Sequence, residues 1–306
     1  MSDMTLESQH SQPIAQRRIG LVFMLRQDPF AFAAVVVLVL FALLAVLGPT
    51  LLGDIATSMN LRARNAPPFE LERGFWYLLG ADALGRPILA RVILATRTTL
   101  LIAGAAVLLS MVVGSVLGLI AGYRGGFLGD AILRLTDIVM SFPSLLLALV
   151  VLYVFDPAIT NVIIVLAITR VPIYLRTVRA EVMEIRSRMF VTSARVTGAG
   201  PVRLIGKHIL PMVFPTIVTI MTLDFAFVML AEASLSFLGL GVQAPNVTWG
   251  VMVAEGRNYL SSAWWLSFWP GLAIALVTMS LNLVSNWVRM VIDPVQRWRL
   301  EGKGEK

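Results

Sequence analysis

The sequence predicts an all-α polytopic membrane protein with six transmembrane helices and both termini in the cytoplasm. Three observations predict it. Hydrophobic residues fill 58% of the 306 positions and charged residues only 14%, with a mean hydropathy of +0.81, far too apolar for a soluble domain. The apolar residues gather in stretches long enough to cross a hydrocarbon core of roughly 30 Å. The basic residues are shared unevenly between the segments that join those stretches. Eighteen of the 25 Lys and Arg fall on the side assigned to the cytoplasm, as the positive-inside bias requires. That bias accounts for the net charge of +7 and leaves no need for a nucleic-acid partner.

Residues 1–29 read as a cytoplasmic segment. This flank is too long for an ordinary signal-peptide n-region and no small-residue cleavage site follows it, so the first span, 30–52, is uncleaved. Residues 53–96 form an extracytoplasmic segment, in which Trp76 and Tyr77 suit an interface and Leu84 to Thr96 reads as a short amphipathic helix lying on the bilayer. Residues 97–289 hold the remaining five spans, at about 97–123, 131–155, 158–175, 209–235 and 264–288. In the second span Ser110, Gly114, Gly118 and Gly122 recur every four residues, so they share one helix face and admit a close neighbour. Phe142-Pro143 should kink the third span. Asp156-Pro157 makes an external turn. Trp264, Trp265 and Trp269 form an interfacial belt at the start of the sixth span. Residues 290–306, with Asp293-Pro294, Arg297 and Arg299, form a cytoplasmic tail.

Between the fourth and fifth spans lies a basic stretch, 176–208, interrupted by Gly198, Gly200 and Pro201. A run so charged belongs in water. Its periodic apolar residues Val178, Val182, Ile185, Met189 and Val196 predict a helix with one sticky face. It therefore reads as a helical knob offered to a soluble partner, against the plainer reading of a solvated loop touching headgroups.

Much chemistry is missing. There is no cysteine, so disulfides and thiolate sites are excluded. The two histidines, His10 and His208, are far apart in the chain, which gives no histidine metal cluster. No phosphate-binding loop, nucleophile elbow or paired-carboxylate pattern appears. No catalytic residue and no metal site is assigned. The absence of a power source points to half of a pore driven by another chain, with a membrane scaffold or intramembrane enzyme as the other open reading.

Candidate sites follow. Thr216, Thr219 and Thr222 step by three along the fifth span, either lining a path or back-bonded to their own helix. Asp224 is costly to bury and is placed at the path. Glu232 lies near the outer end, with Arg86 or Arg91 as partners. Asp137 is a functional carboxylate, or pairs with Arg134, or caps a helix.

Several stretches resemble one family. Gly198 followed at fixed spacing by Leu210-Pro211 resembles the cytoplasmic loop of ABC importer permeases, although Thr192, Ser193 and Ala194 stand where that family has Glu-Ala-Ala, and His208 where it has Ile. The departure at Thr192 removes the Glu that commonly helps hold the ATPase. Leu79-Gly80-Ala81-Asp82-Ala83-Leu84-Gly85-Arg86, Gly122-Tyr123-Arg124-Gly125-Gly126 and Arg134-Leu135-Thr136-Asp137 are similar to the C-type permease subunit of dipeptide, oligopeptide and nickel importers. So are Glu232 to Gly241 with Pro245 and Trp249-Gly250, together with Asn282 and Asp293-Pro294. The resemblance covers roughly residues 20–295.

The resemblance implies the fold of type I (MetI-like) importer permeases in the inner membrane. It implies a second homologous permease, two ATP-binding subunits that carry ATP and Mg, and an external binding protein as partners, with no cofactor in this chain. The ATPase contact is then expected at Phe190, Thr192, Ser193, Ala194, Thr197, Gly198, Ala199, Arg203, Leu210 and Pro211. Asp82, Arg86 and Trp249 are expected at the binding protein, with a plug packed on the permease itself as the competing reading.

Overall fold

The computed structural model describes residues 21–155 and 158–292. Residues 1–20, the Asp156-Pro157 turn and the tail from Asp293 onward, including Pro294, Arg297 and Arg299, lie outside the described residues. Within them the fold is helical, and no strand is formed.

A short α1 (Leu21–Gln27) leads into α2 (Pro29–Thr57). Asp28 starts α2: its carboxylate accepts from the amides of Phe30 and Ala31, both at 3.1 Å, and Pro29 occupies the first helical position, where no donor is lost. Residues 58–87 form an irregular cap with three short 3₁₀ turns. The long α3 (Ile88–Arg124) follows, then α4 (Gly126–Met140) and α5 (Ser144–Val154). After α6 (Ile159–Ile185) come α7 (Met189–Val196), the single turn α8 (Pro201–Arg203) and a π-helical segment Leu204–Ile209. Then α9 (Leu210–Phe237), α10 (Trp249–Gly256) and α11 (Trp265–Ile292) complete the chain.

Five helical stretches are long and apolar enough to cross a membrane: α2, α3, α6, the Pro201–Phe237 stretch that contains α9, and α11. The pair α4 and α5 makes a sixth only as a broken span, bent by 84°. The break falls at Ser141 to Pro143, where Pro143 precedes α5 and the expected kink becomes a sharp corner.

Three boundaries differ from the expectation. The stretch Leu84 to Thr96 is no surface helix: α3 begins at Ile88 and Ala90, Ala95 and Thr96 are buried. The second span is correspondingly longer than 97–123. The fourth span does not end at Leu175, because α6 runs on to Ile185 and takes Val178 and Val182 into the core. The charges that signalled a loop are long side chains that reach out of the bundle: Arg176 pairs with Asp137, and Arg179 approaches Asp130 at 3.5 Å.

The α3–α6 seam is close-packed through glycine. A Cβ on Gly114 would lie 2.6 Å from Tyr174 Cβ, one on Gly118 2.8 Å from the Leu175 carbonyl, and one on Gly122 2.8 Å from Val182 Cβ. The four-residue glycine spacing thus meets α6 of the same chain. Two apolar clusters fill the bundle. One, around Ile102, Val165, Met229, Trp249 and Val277, occupies the half nearest the 58–87 cap. The other, around Leu119, Val182, Val191, Ile209 and Val213, occupies the opposite half beneath α7, called here the knob end.

Candidate functional site

The knob end is built around α7. Its C-terminus closes with the 6→1 and 5→2 bonds of a Schellman motif: the Ala199 amide donates to the Ala194 carbonyl and the Gly198 amide to the Arg195 carbonyl, both at 3.0 Å. Gly198 sits at φ +91°, the left-handed conformation this cap needs. One side of α7 is anchored. Val191 is fully buried against Val178, Val182 and Ile185 of α6, Leu204 and Ile209 of the π segment, and Val213 and Ile217 of α9. Ala194 and Ala199 pack on the same cluster. Arg186 bonds the carbonyls of Gly122 and Tyr123 at 2.9 and 3.0 Å, placing a cation where the last carbonyls of α3 need donors.

The other side of α7 is bare. Phe190, Thr192, Ser193, Thr197, Gly198, Arg203 and Pro211 are exposed, and Leu210 is half-buried. Of the five residues expected on the sticky face, Met189 and Val196 are 85% and 83% exposed, as is Val202 of α8 at 86%, whereas Val178, Val182 and Ile185 are buried in the core. The chain breaks at Arg186 to Arg188, so the periodicity read across 176–196 belongs to two helices. Three large apolar side chains on a basic knob are what a docking surface needs and what a merely solvated loop lacks. Of the three, Val202 is not among the residues the sequence pattern picks out; the signal for it is Gly200-Pro201, which starts the new turn that carries it.

Deeper in the bundle lies a layer of polar groups. The Arg170 Nε donates to Asp224 Oδ1, and the Arg170 guanidinium stands 4.0 Å from the centre of the Phe227 ring. Asp224 is 1% exposed. Its expected place on a path is therefore corrected: it sits inside the subunit, because an unpaired carboxylate in hydrocarbon costs too much. The Thr216 hydroxyl donates to Glu181 Oε1 at 3.0 Å, Thr219 back-bonds to the Pro215 carbonyl at 3.0 Å, and Thr222 donates within 2.8–2.9 Å of the Thr219 carbonyl and Ser285 Oγ. All three are half-buried. Asp137 is exposed and bonded to Arg176 rather than to Arg134.

The opposite end is a clip. Asp82 accepts the amides of Leu84 and Arg86 on Oδ1 at 2.9 and 2.8 Å, and the guanidinium groups of Arg86 and Arg91 on Oδ2, both at 2.6 Å. Arg91 reaches on to Glu255 of α10 at 2.9 Å. Gly85 admits no side chain, since a Cβ would lie 1.8 Å from the Asn60 carbonyl oxygen. Trp249 is fully buried. Its amide donates to Thr99 Oγ1 and its indole N–H to the Val92 carbonyl, and its ring meets Phe41 edge-on at 5.4 Å. Asp82 and Trp249 are thus internal fasteners, not surface contacts for another protein; Arg86 alone of the three is partly exposed. Glu232 pairs with neither arginine. It accepts from Ser236 at 2.7 Å and from Thr248, the N-cap of α10, at 2.9 Å. Gly250 packs on Ala233, where a Cβ would lie 2.6 Å from Cα.

The described residues thus form a multi-span helical membrane subunit, fastened at one end and presenting an apolar knob at the other. Residues 114–298 match the family described as binding-protein-dependent transport system inner membrane component, and the chain belongs to that family. Its place is accordingly the inner membrane, crossed several times. Among similar proteins, the di/tripeptide transport system permease protein DppC of Pseudomonas aeruginosa is 42% identical over 74% of this chain and 76% of its own length. The probable D,D-dipeptide transport system permease protein DdpC of Escherichia coli is 33% identical over 94% and 96%. The nickel transport system permease protein NikC of Escherichia coli is 38% identical over 85% and 92%.

Proposed function

We propose that the chain is one permease subunit of an ATP-driven importer of di- and oligopeptides, and that α7 is where it docks an ATPase. The observation that carries this reading is the two-sided character of α7: one face locked into the core by Val191, the other displaying Met189, Phe190 and Val196 to solvent, with Val202 of the following α8 exposed as well. Such a helix fits a groove on a soluble protein. Peptide cargo is supported by the names of the dipeptide permeases among the similar proteins.

The other subunits follow from the reading. A second homologous permease completes the path, two ATP-binding subunits hold ATP and Mg, and an external binding protein delivers cargo. The knob end faces the cytoplasm. When the ATPases close, α7 moves. Because its anchor is shared by α3, α6 and α9, these helices move with it and the path opens to one side at a time. The polar groups beside the path are Thr216, Thr219 and Thr222, whose hydroxyls also hold the helices together. At the other end, the exposed surface of residues 54–90 and 242–262 meets the binding protein, with Arg86 at its edge.

Mild-detergent purification of the tagged chain tests this. Co-recovery of a second permease and Walker-motif subunits, with ATP hydrolysis stimulated by peptide-loaded binding protein, is expected. Recovery of the chain alone, without ATPase activity, contradicts it and favours a scaffold.

A further inference from the structure

A peptide in transit carries a free α-carboxylate, and a bare carboxylate is opposed by hydrocarbon at mid-depth. Arg170 lies about 17 Å along α6 from Ile159 at 1.5 Å per residue, near the middle of a core roughly 30 Å thick. It stands further from a helix end than Arg97 in α3 or Arg176 in α6. Its setting is unusual for a structural ion pair. Asp224 takes only Nε. The terminal nitrogens form no hydrogen bond among the described residues, and the guanidinium is instead covered by the Phe227 ring. Phe227 itself is 43% exposed on the open face of α9, whereas Arg170 is 14% exposed. Behind the pair, Asp224 Oδ2 is buried beside the Tyr174 hydroxyl. One aromatic side chain thus separates an oriented guanidinium fork from the surface that the fifth span presents.

We propose that Arg170 is the station on the transport path that receives the carboxylate of the travelling peptide, with Phe227 as its cover at rest. Asp224 is then a positioning residue. It fixes the guanidinium through Nε and leaves the two terminal N–H groups to bind a carboxylate side by side, the geometry at which Arg excels. This rests on the peptide-importer reading above.

The test is photo-crosslinking in the assembled transporter. Phe227→p-benzoylphenylalanine is made in the complete complex and supplied with a radiolabelled free-acid dipeptide during ATP-driven uptake, with Val39 on the exposed face of α2 as the control position. Capture is expected at 227 and not at 39. Adding Arg170→Gln should lower capture per assembled complex about tenfold or more, the scale of a hydrogen bond to a charged group. Arg170→Lys should restore part of it. Should Arg170→Gln fail to insert, Arg170→Gln with Asp224→Asn leaves no unpaired charge and should show the same loss. Undiminished capture in either neutral variant, or no capture at 227 while uptake proceeds, overturns the proposal. A purely structural Arg170 would lower the amount of complex and leave capture per complex unchanged. If the unmodified complex takes up no peptide, the importer reading fails and this proposal falls with it.

Discussion

At the level of single residues, Gly198 and Asp82 carry the clearest expectations. A Cβ on Gly198 meets nothing within 4 Å, but its φ of +91° is one that L side chains avoid. Gly198→Ala should therefore cost about 1–2 kcal/mol of local stability, and uptake should survive. Gly198→Trp adds bulk to the docking face. Immunoblotting should find it in the membrane at normal amounts while peptide uptake is lost; normal uptake would remove α7 from the docking role. Asp82 holds two guanidinium groups in a nearly closed site. Asp82→Ala should destabilise the chain by about 1–3 kcal/mol, because buried Arg91 keeps only Glu255 as a partner and the amides of Leu84 and Arg86 lose their acceptor. Thermal unfolding of the detergent-solubilised protein should show a lower midpoint, and an unchanged midpoint counts against the clip. The local turn chemistry of residues 79–86 was legible in the sequence. Its purpose was not, since Glu255, which bonds Arg91, and Trp265, whose indole N–H donates to the Ala81 carbonyl, lie more than 160 positions away. The same holds for Trp249, whose partners Thr99 and Val92 are on α3.

At the level of elements, the α3–α6 seam was the most legible feature, because glycines at four-residue spacing have few other uses in a span. Gly118→Leu should force the Leu175 backbone and Val178 apart. Overpacking of this kind costs about 1–3 kcal/mol or more, read as reduced membrane abundance and faster protease digestion. Abundance equal to that of the parent protein would mean that the seam is looser than 2.8 Å implies. The end of α6 was not legible. Arg176 and Arg179 lower local hydropathy as a loop would, yet each finds a carboxylate on α4. The fate of the apolar residues between 176 and 196 depended on where the helix stops, and that is set at Arg186 by carbonyls of α3, invisible to any local pattern. Val191→Ala removes the only fully buried side chain of α7. It should leave the fold in place and loosen the knob. The expected result is ATP hydrolysis that continues with less peptide moved per ATP.

At the level of the whole molecule, the membrane class and five of the six expected spans were legible from hydropathy, while the third span, expected only to kink, is broken at the 84° corner between α4 and α5. Orientation is open to direct measurement, and the absence of cysteine makes the chain its own background. Ser193→Cys should react with a membrane-impermeant maleimide only after the membrane is opened, and Glu72→Cys in intact spheroplasts; the reverse pattern would invert the topology.

The most direct measurement of the central claim is photo-crosslinking from Val196→Cys, at the exposed tip of α7, labelled with benzophenone-maleimide in the complete transporter. A crosslink to the ATP-binding subunit is expected, formed in high yield and altered by ATP, with none from Val39→Cys on α2. Failure of Val196→Cys to reach that subunit in an active transporter would contradict docking through α7.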